Sequence, residues 1–485
     1  MSKVLKDLEP KKVFEFFEEL TKIPRCSGNE KKVSDYLVNF AKERNLEVIQ
    51  DEALNIVIKK PATKGYENAK RVILQGHMDM VCEKNKDTKH DFSKDPLNLR
   101  IKDELLMATG TTLGADNGIA VAYCLALLDS NDIPHPPLEV LVTTEEETGM
   151  GGAQKLDPDS VNGDILINID SEEEGVFLVS CAGGVRTKAK LPIEWTNKDE
   201  NKNSYTIKIR GLKGGHSGME INKGRGNSNK IMGRILYNLN GCLEFDLAEV
   251  NGGAKMNAIP READAIVLVD KENKEKLINE IGKWDNILKN ELKAADPNVS
   301  VVVDECKKEV KKTFNKITKE SIISLYNLIP NGIETMSMEI KGLVESSTNL
   351  GVVTTYKNEI VLESATRSSI ESLKSRIVEK TSLAAKVTGA EFVTNDPYPA
   401  WQYNSESKIR DLFVKVYKEK FGVKPEITAI HAGLECGLFR EKLGDLDMIS
   451  LGPDMHDVHT PDENLSISST KKTWEFLLDV LKEIK

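Results

Sequence analysis

Residues 71–80, RVILQGHMDM, run from an apolar segment into a histidine and an aspartate separated by one methionine. Side chains alternate along extended backbone, so His77 and Asp79 share one face. Two readings are open at this point. Either a strand ends and its last polar groups meet water, or His77 binds a metal while Asp79 holds its other ring nitrogen. The neighbouring segments bear on the choice. LEVIQDEALNIVIKK (46–60), PLEVLVTTEEETG (137–149) and GDILINIDSEEEG (163–175) are β-rich, and GADNGIAVAYCLALLDS (114–130) predicts a helix with a mostly apolar surface. Continuous apolar strand runs predict strands covered on both faces, as in an α/β sandwich. Each polar cluster follows a strand end or opens the helix, where open α/β sheets place their sites.

Further along, the texture changes. From about residue 187 the order reads β-α-β-β-α-β, through KNSYTIKIRGL, a helix near 227–239, LEFDLAEVNG, READAIVLVD, a helix near 271–294 and VSVVVDEC. A similar order partly recurs, with helices at 318–328 and 369–386 around LVESSTNLGVVTTY and EIVLESATRSS. This predicts an inserted α+β domain of two similar halves over 187–395. Residues 1–186 and 396–485 are then the two parts of the first domain.

The chain has 485 residues, more than one ordinary core accommodates, which agrees with that division. Sixty-seven basic against 77 acidic side chains give a net charge of −10, a poor start for binding phosphate backbones, so nucleic acid is not an expected partner. The first residues, MSKVLKDLEPKKVFEFFEELTKIP, lack the apolar core of a signal peptide, and Val13, Phe16, Phe17 and Leu20 fit one face of a helix instead. No apolar run is long enough to span a bilayer, so no membrane is expected and the cytoplasm is the expected location. The seven cysteines (26, 82, 124, 181, 242, 306, 436) form no C-x-x-C pair. Reduced thiols are therefore expected, with neither a disulfide framework nor a cysteine zinc site. Any metal must be held by histidines and carboxylates.

Of the seven histidines, His90 and His135 lie in polar or proline-bordered loops, whereas 77, 216, 431, 456 and 459 lie in stretches rich in Gly, Asp or Glu. Asp116 stands at the start of the expected helix, where a carboxylate also serves as a plain cap. TTEEETGMGG places three glutamates straight after a strand; such a run repels itself unless solvated or gathered around cations. INIDSEEEG sets Asp170 at a strand end, and DMHDVHTPDE supplies His456 and His459. His77, Asp116, Glu146, Glu147, Asp170 and His459 together exceed what one tetrahedral zinc uses. One carboxylate bridging two metals, with one histidine and one further carboxylate on each, accounts for five of them. The sixth is then free as a general base, which is the composition of a two-metal hydrolase.

GHMDMV, GADNGIA, TTEEETGMGG, LINIDSEEEG and VHTPDE resemble the co-catalytic zinc peptidases related to glutamate carboxypeptidase and the aminoacylases. LKGGHSGMEIN, NAIPREA, ESSTNLGVV and IHAGLECGLF are similar to the branch of aminoacyl-histidine (Xaa-His, β-alanyl-histidine) dipeptidases. The resemblance implies a catalytic domain with a mixed sheet between helices, a large inserted lid, two zinc ions per chain (manganese or cobalt as substitutes) and dipeptide substrates. It implies His77 and Asp170 on one zinc, Glu147 and His459 on the other, Asp116 bridging, Asp79 orienting His77 and Glu146 as base. Three consecutive glutamates leave that register open by one. For substrate contacts it implies His216, Asn257, Arg367 and Gly433. It also implies a homodimer joined through the lid, with His216 serving the partner subunit's site. His456 and Cys82 receive no role.

Overall fold

The computed structural model describes residues 4–485, which form two compact units. The first comprises residues up to Ser180 with Tyr403–Ala429 and Leu434–Lys485; the second comprises Cys181–Gln402 and Ile430–Gly433. The boundaries read from the sequence, 187 and 395, fall inside the strands Gly183–Pro192 and Glu391–Tyr398, so the division lies a few residues outside them.

In the first unit the strand Val72–His77 lies centrally in an eight-stranded sheet, hydrogen-bonded in parallel to Leu138–Thr143 on one side and Ile165–Asn168 on the other. Asp447–Ser450 adds in parallel beyond Ile165–Asn168, whereas Ile56–Lys60 and Glu47–Gln50 close the other edge antiparallel. Every residue of the three central strands is buried, which is why their sequences read as unbroken apolar runs. The helix Ala115–Asp129 is buried over nearly its whole surface and packs on Val72–His77 and on the amphipathic helix Lys11–Leu20. Elsewhere Phe177 stacks on Phe476 at 5.3 Å and meets Phe413 edge-on at 5.2 Å. Each such ring removed from water contributes about 1.5–3 kcal/mol.

Three features depart from the sequence reading. The β-rich segment 46–60 is a hairpin, broken where Leu54 takes φ +68° and Asp51 accepts hydrogen bonds from the Asn55 backbone and side chain. A four-stranded sheet of Leu99–Lys102, Leu105–Ala108, Met455–His456 and Asn464–Ser466 had no clear alternation to announce it. It anchors both ends of the loop that carries His459. Cys26 and Cys82 form a disulfide with Cα atoms 5.7 Å apart, against the expectation of reduced thiols for this pair. Cys26 lies beside the strand end through a parallel bridge to Met80, a proximity that a 56-residue separation conceals.

The second unit is built on a nine-stranded antiparallel sheet containing Lys202–Arg210, Asp246–Gly252, Ala263–Asp270, Val344–Thr355, Glu359–Ser368 and Gly183–Pro192. The helices Ser228–Cys242, Lys274–Glu291, Lys316–Leu328 and Glu371–Thr388 follow in the order the sequence suggested. Asn227 and Asn315 cap two of them by accepting from Lys230 N–H at 3.1 Å and Thr318 N–H at 2.8 Å, each cap being worth about 1 kcal/mol. Among the described residues no helix is long and apolar enough to cross a membrane.

Candidate metal centre

His77, the last residue of its strand, points Nε2 at two carboxylates, 3.1 Å from Asp116 Oδ1 and 3.5 Å from Asp170 Oδ1. His459 does the same, with Nε2 3.0 Å from Asp116 Oδ2 and 2.9 Å from Glu147 Oε2. Asp116 thus gives one oxygen to each histidine and belongs to both groups able to hold a metal, His77–Asp116–Asp170 and Asp116–Glu147–His459. One ring nitrogen carries one proton and cannot satisfy two carboxylates, whereas a divalent cation accepts all three donors. Glu147 Oε1 is also buried without a hydrogen-bond partner among the described residues. The donor set, imidazole nitrogen with carboxylate oxygen, fits zinc and similar divalent ions.

The local backbone explains how Asp116 reaches this position. Gly114 precedes it at φ +68°, and Asp116 and Asn117 are non-helical, joined by a cis peptide bond. The plain capping role for Asp116 is not what the structure shows. Glu463 takes it instead, its carboxylate accepting from the backbone N–H of Leu113 at 2.8 Å, Gly114 at 3.1 Å and Ala115 at 2.8 Å. The Asp116 side chain is left free for the histidines.

Asp79 is fully buried, with Oδ1 3.2 Å from His77 Nδ1. Oδ1 also accepts from Glu146 N–H at 3.1 Å, while Oδ2 accepts from Glu147 N–H at 3.3 Å and Ser27 Oγ at 2.7 Å. One carboxylate therefore lies against the histidine ring and holds the loop of glutamates through two backbone N–H groups. The three glutamates separate clearly. Glu145 turns outward at φ +52°, 3.6 Å from Lys155. Glu147 joins Asp116 and His459, and Glu146 lies between them in sequence, partly buried.

Charge explains the electrostatics. Burial, with neighbouring Asp116 and Glu147, pushes Asp170 up to about 6, and burial likewise raises Glu172 to about 7. Glu146 is raised well above the carboxylate range by burial and by Asp170, Glu435 and Glu147. Asp116, despite its burial, is held below that range by His459 and His77. Hydrogen bonds to Asp116 and Glu147 raise His459 to about 11. So many carboxylates around two imidazoles call for positive charge.

Some of it comes from Arg25, which the sequence reading passed over. Its guanidinium is buried and donates to the carbonyls of Met78 (3.0 Å), Asp79 (3.1 Å) and Gly114, tying together the segments that carry Asp79 and Asp116. Gly114 and Gly118 leave room for it, since a Cβ at either would meet its Nη2. A lone arginine in KIPRCSG carried no signal of this; contacts 53 to 89 positions away decide it.

The remaining sequence-predicted residues lie in the second unit. His216 Nδ1 accepts from the N–H of Met219 at 3.0 Å and Gly218 at 3.3 Å, which directs Nε2 away from the loop. Arg367 donates to Tyr398 Oη at 2.8 Å, and its Nε is buried without a partner among the described residues. A Cβ at Gly218 would crowd the His431 carbonyl, the His216 ring and Arg367 Cδ, so these three converge there. Gly433 follows two residues after His431, and the Asn257 carbonyl accepts from Ser217 N–H at 2.9 Å. His456 is exposed on its strand and joins neither metal group.

A cytosol non-specific dipeptidase of Escherichia coli (strain K12) is 41% identical over 480 residues, covering 99% of each chain. The solved structure of an aminoacylhistidine dipeptidase from Vibrio alginolyticus superposes with a TM-score of 0.95 at 40% identity, covering 99% of this chain and 98% of that one. An aminopeptidase from Bacillus cereus shares the fold at 15% identity, with a TM-score of 0.57 over 98% of this chain and 99% of that one. The model of peptidase family M20/M25/M40 matches residues 73–483, the span from the His77 strand to the last helix, and the chain belongs to that family.

Proposed function

We propose that the protein is a dizinc dipeptidase that hydrolyses Xaa-His dipeptides, carnosine-type β-alanyl-histidine among them, as a homodimer in the cytoplasm. The observation that carries the dinuclear reading is Asp116, which gives one oxygen to each of two histidine–carboxylate groups. Family membership and the whole-chain likeness to a dipeptidase support metal-dependent dipeptide hydrolysis. The histidine preference leans on the name of the Vibrio relative; that of the Escherichia coli relative favours a second reading, a broader dipeptidase, and an N-acyl-amino-acid hydrolase fits the same scaffold. The cytoplasmic location leans on the latter name also.

His77 and Asp170 would hold one zinc, Glu147 and His459 the other, with Asp116 shared. Manganese or cobalt suits the same donors. Bound there, two cations supply Lewis acidity for the scissile carbonyl and for water. Glu146 takes the proton of the attacking water and returns it to the leaving amine. Asp79 fixes the orientation of His77. His216, with Nδ1 engaged by backbone N–H groups, keeps Nε2 for the developing oxyanion. Asn257, Arg367 and Gly433 are assigned to the substrate, the guanidinium suiting a carboxylate. No membrane or nucleic acid is involved.

A turnover panel tests the proposal: β-Ala-His, Gly-His, Gly-Leu, a tripeptide and an N-acetylated amino acid, each with zinc or manganese. Dipeptide hydrolysis with the histidine substrates fastest is the expected result. Equal rates on Gly-Leu establish the broader reading, and hydrolysis of the tripeptide or acetylated compound alone overturns both dipeptidase readings.

A further inference from the structure

Directly beneath the metal centre, a chain of buried polar side chains crosses the central strands. Ser171 Oγ lies 3.0 Å from Ser450 Oγ, Ser450 Oγ donates to Asn168 Oδ1 at 2.5 Å, and Asn168 Nδ2 donates to Gln75 Oε1 at 2.5 Å. Gln75 Nε2 then donates to Glu435 Oε2 at 2.6 Å, and Thr143 Oγ1 donates to the same oxygen at 2.8 Å. All are buried. The residues are in register: Gln75 is paired with Asn168, Asn168 with Ser450, and Thr143 with His77. Gln75 stands two positions before His77 on the same strand, and Asn168 is the last residue of its strand, two positions before Asp170. Donors run consistently toward one end, and that end is the Glu435 carboxyl, whose other oxygen is buried without a partner among the described residues. A buried carboxyl group is costly to keep. Packing alone is served by an apolar residue at this position, but two converging donors need an acceptor.

We propose that Glu435 is a positioning residue for the hydrolytic reaction: as terminal acceptor of this chain it fixes the strand ends that carry His77 and Asp170. The inference rests on the metal-site reading above. It has an asymmetric consequence: members of the chain stand two positions from His77 and two from Asp170, whereas none is nearer in sequence to Glu147 than Thr143, four positions away, and none lies beside His459.

The test is calorimetric titration of zinc into metal-free protein, with kcat, KM and thermal stability measured on the same samples. Glu435→Leu removes the acceptor at similar volume. It should weaken one of the two zinc-binding phases and lower kcat, each by roughly 10–100-fold as for other groups that orient metal ligands, with KM within about threefold of wild type. Glu435→Gln keeps an acceptor oxygen for Gln75 and Thr143 and should restore both quantities to near wild type. If Glu435→Leu does not fold, Thr143→Val removes one donor without changing volume. It should shift the same phase by about three- to tenfold, the worth of one neutral hydrogen bond. Lowered thermal stability with unchanged zinc phases and kcat overturns the proposal. So do equal shifts in both phases, and a Gln variant as impaired as the Leu variant. Should wild type hydrolyse no dipeptide, the functional reading fails, while the zinc titrations still decide the role of Glu435.

Discussion

Asp79→Asn is the substitution whose effect the geometry defines best, since it changes charge and hydrogen-bonding pattern without changing shape. The native carboxylate accepts from Ser27 Oγ, Glu146 N–H and Glu147 N–H and lies 3.2 Å from His77 Nδ1. An amide keeps one acceptor and turns the other position into a donor. With its oxygen toward His77 and Glu146, its NH2 faces Ser27, whose hydroxyl can rotate to accept, and Glu147 N–H, which cannot. One partly buried N–H is then unsatisfied, at up to about 1–3 kcal/mol, at most roughly a five- to 150-fold effect. Partners that orient metal ligands cost 10–100-fold in activity or metal affinity when altered, roughly the same range. We therefore expect kcat on Gly-Leu or β-Ala-His to fall by one to two decades, with KM little changed. Zinc per chain by mass spectrometry should fall first at the Glu147 position, whose backbone has lost its partner. A variant with kcat within twofold of wild type and full zinc content would refute the claim that Asp79 organises both His77 and the glutamate loop.

Other outcomes follow from the same geometry. Glu146→Gln should retain two zinc ions and lose two to four decades in kcat, whereas Glu145→Gln, altering a residue turned toward Lys155, should stay active; steady-state kinetics with metal analysis checks both. His431 is held down to about 3 by burial, with Arg367 and His216 adding to the effect, while Ser347 Oγ lies 2.8 Å from its Nε2. The folded chain therefore keeps it neutral where the unfolded chain protonates it below its ordinary 6.5. Stability is lost as pH falls from 6.5 toward 3, by about 1.4 kcal/mol per pH unit, or about 2 kcal/mol at pH 5. Urea unfolding at pH 7 and 5 should show that slope reduced in His431→Gln. Mixing His216→Ala subunits with Glu146→Gln subunits should regenerate activity if His216 serves the partner subunit's site, and assay after subunit exchange reads this directly.

What the sequence disclosed was local. His77 and Asp79 sit two apart on extended backbone, so their shared face follows from strand geometry, and the apolar runs of 72–77, 138–143 and 165–168 announced strands covered on both faces. The groups it concealed act across long separations. Glu463 caps the Asp116 segment from 348 positions away, and Glu435 meets Gln75 across 360. Each sits in a motif that drew attention for a neighbour, His459 or Gly433, and an acid in a polar loop is ordinarily solvated. Only packing reveals that these two are not. Asp116 illustrates the converse. A carboxylate at a helix start reads as a cap, and the structure gives that task to Glu463, freeing Asp116 for two histidines.

The central claim is that Asp116 joins two metal positions served by five side chains and that hydrolysis needs both. The most direct measurement is dipeptide turnover by metal-free protein as zinc is added in known equivalents. The account predicts no turnover without metal and a rise that saturates at two equivalents per chain, with Asp116→Ala inactive throughout. Full activity at one equivalent, or turnover in the metal-free protein, would contradict it.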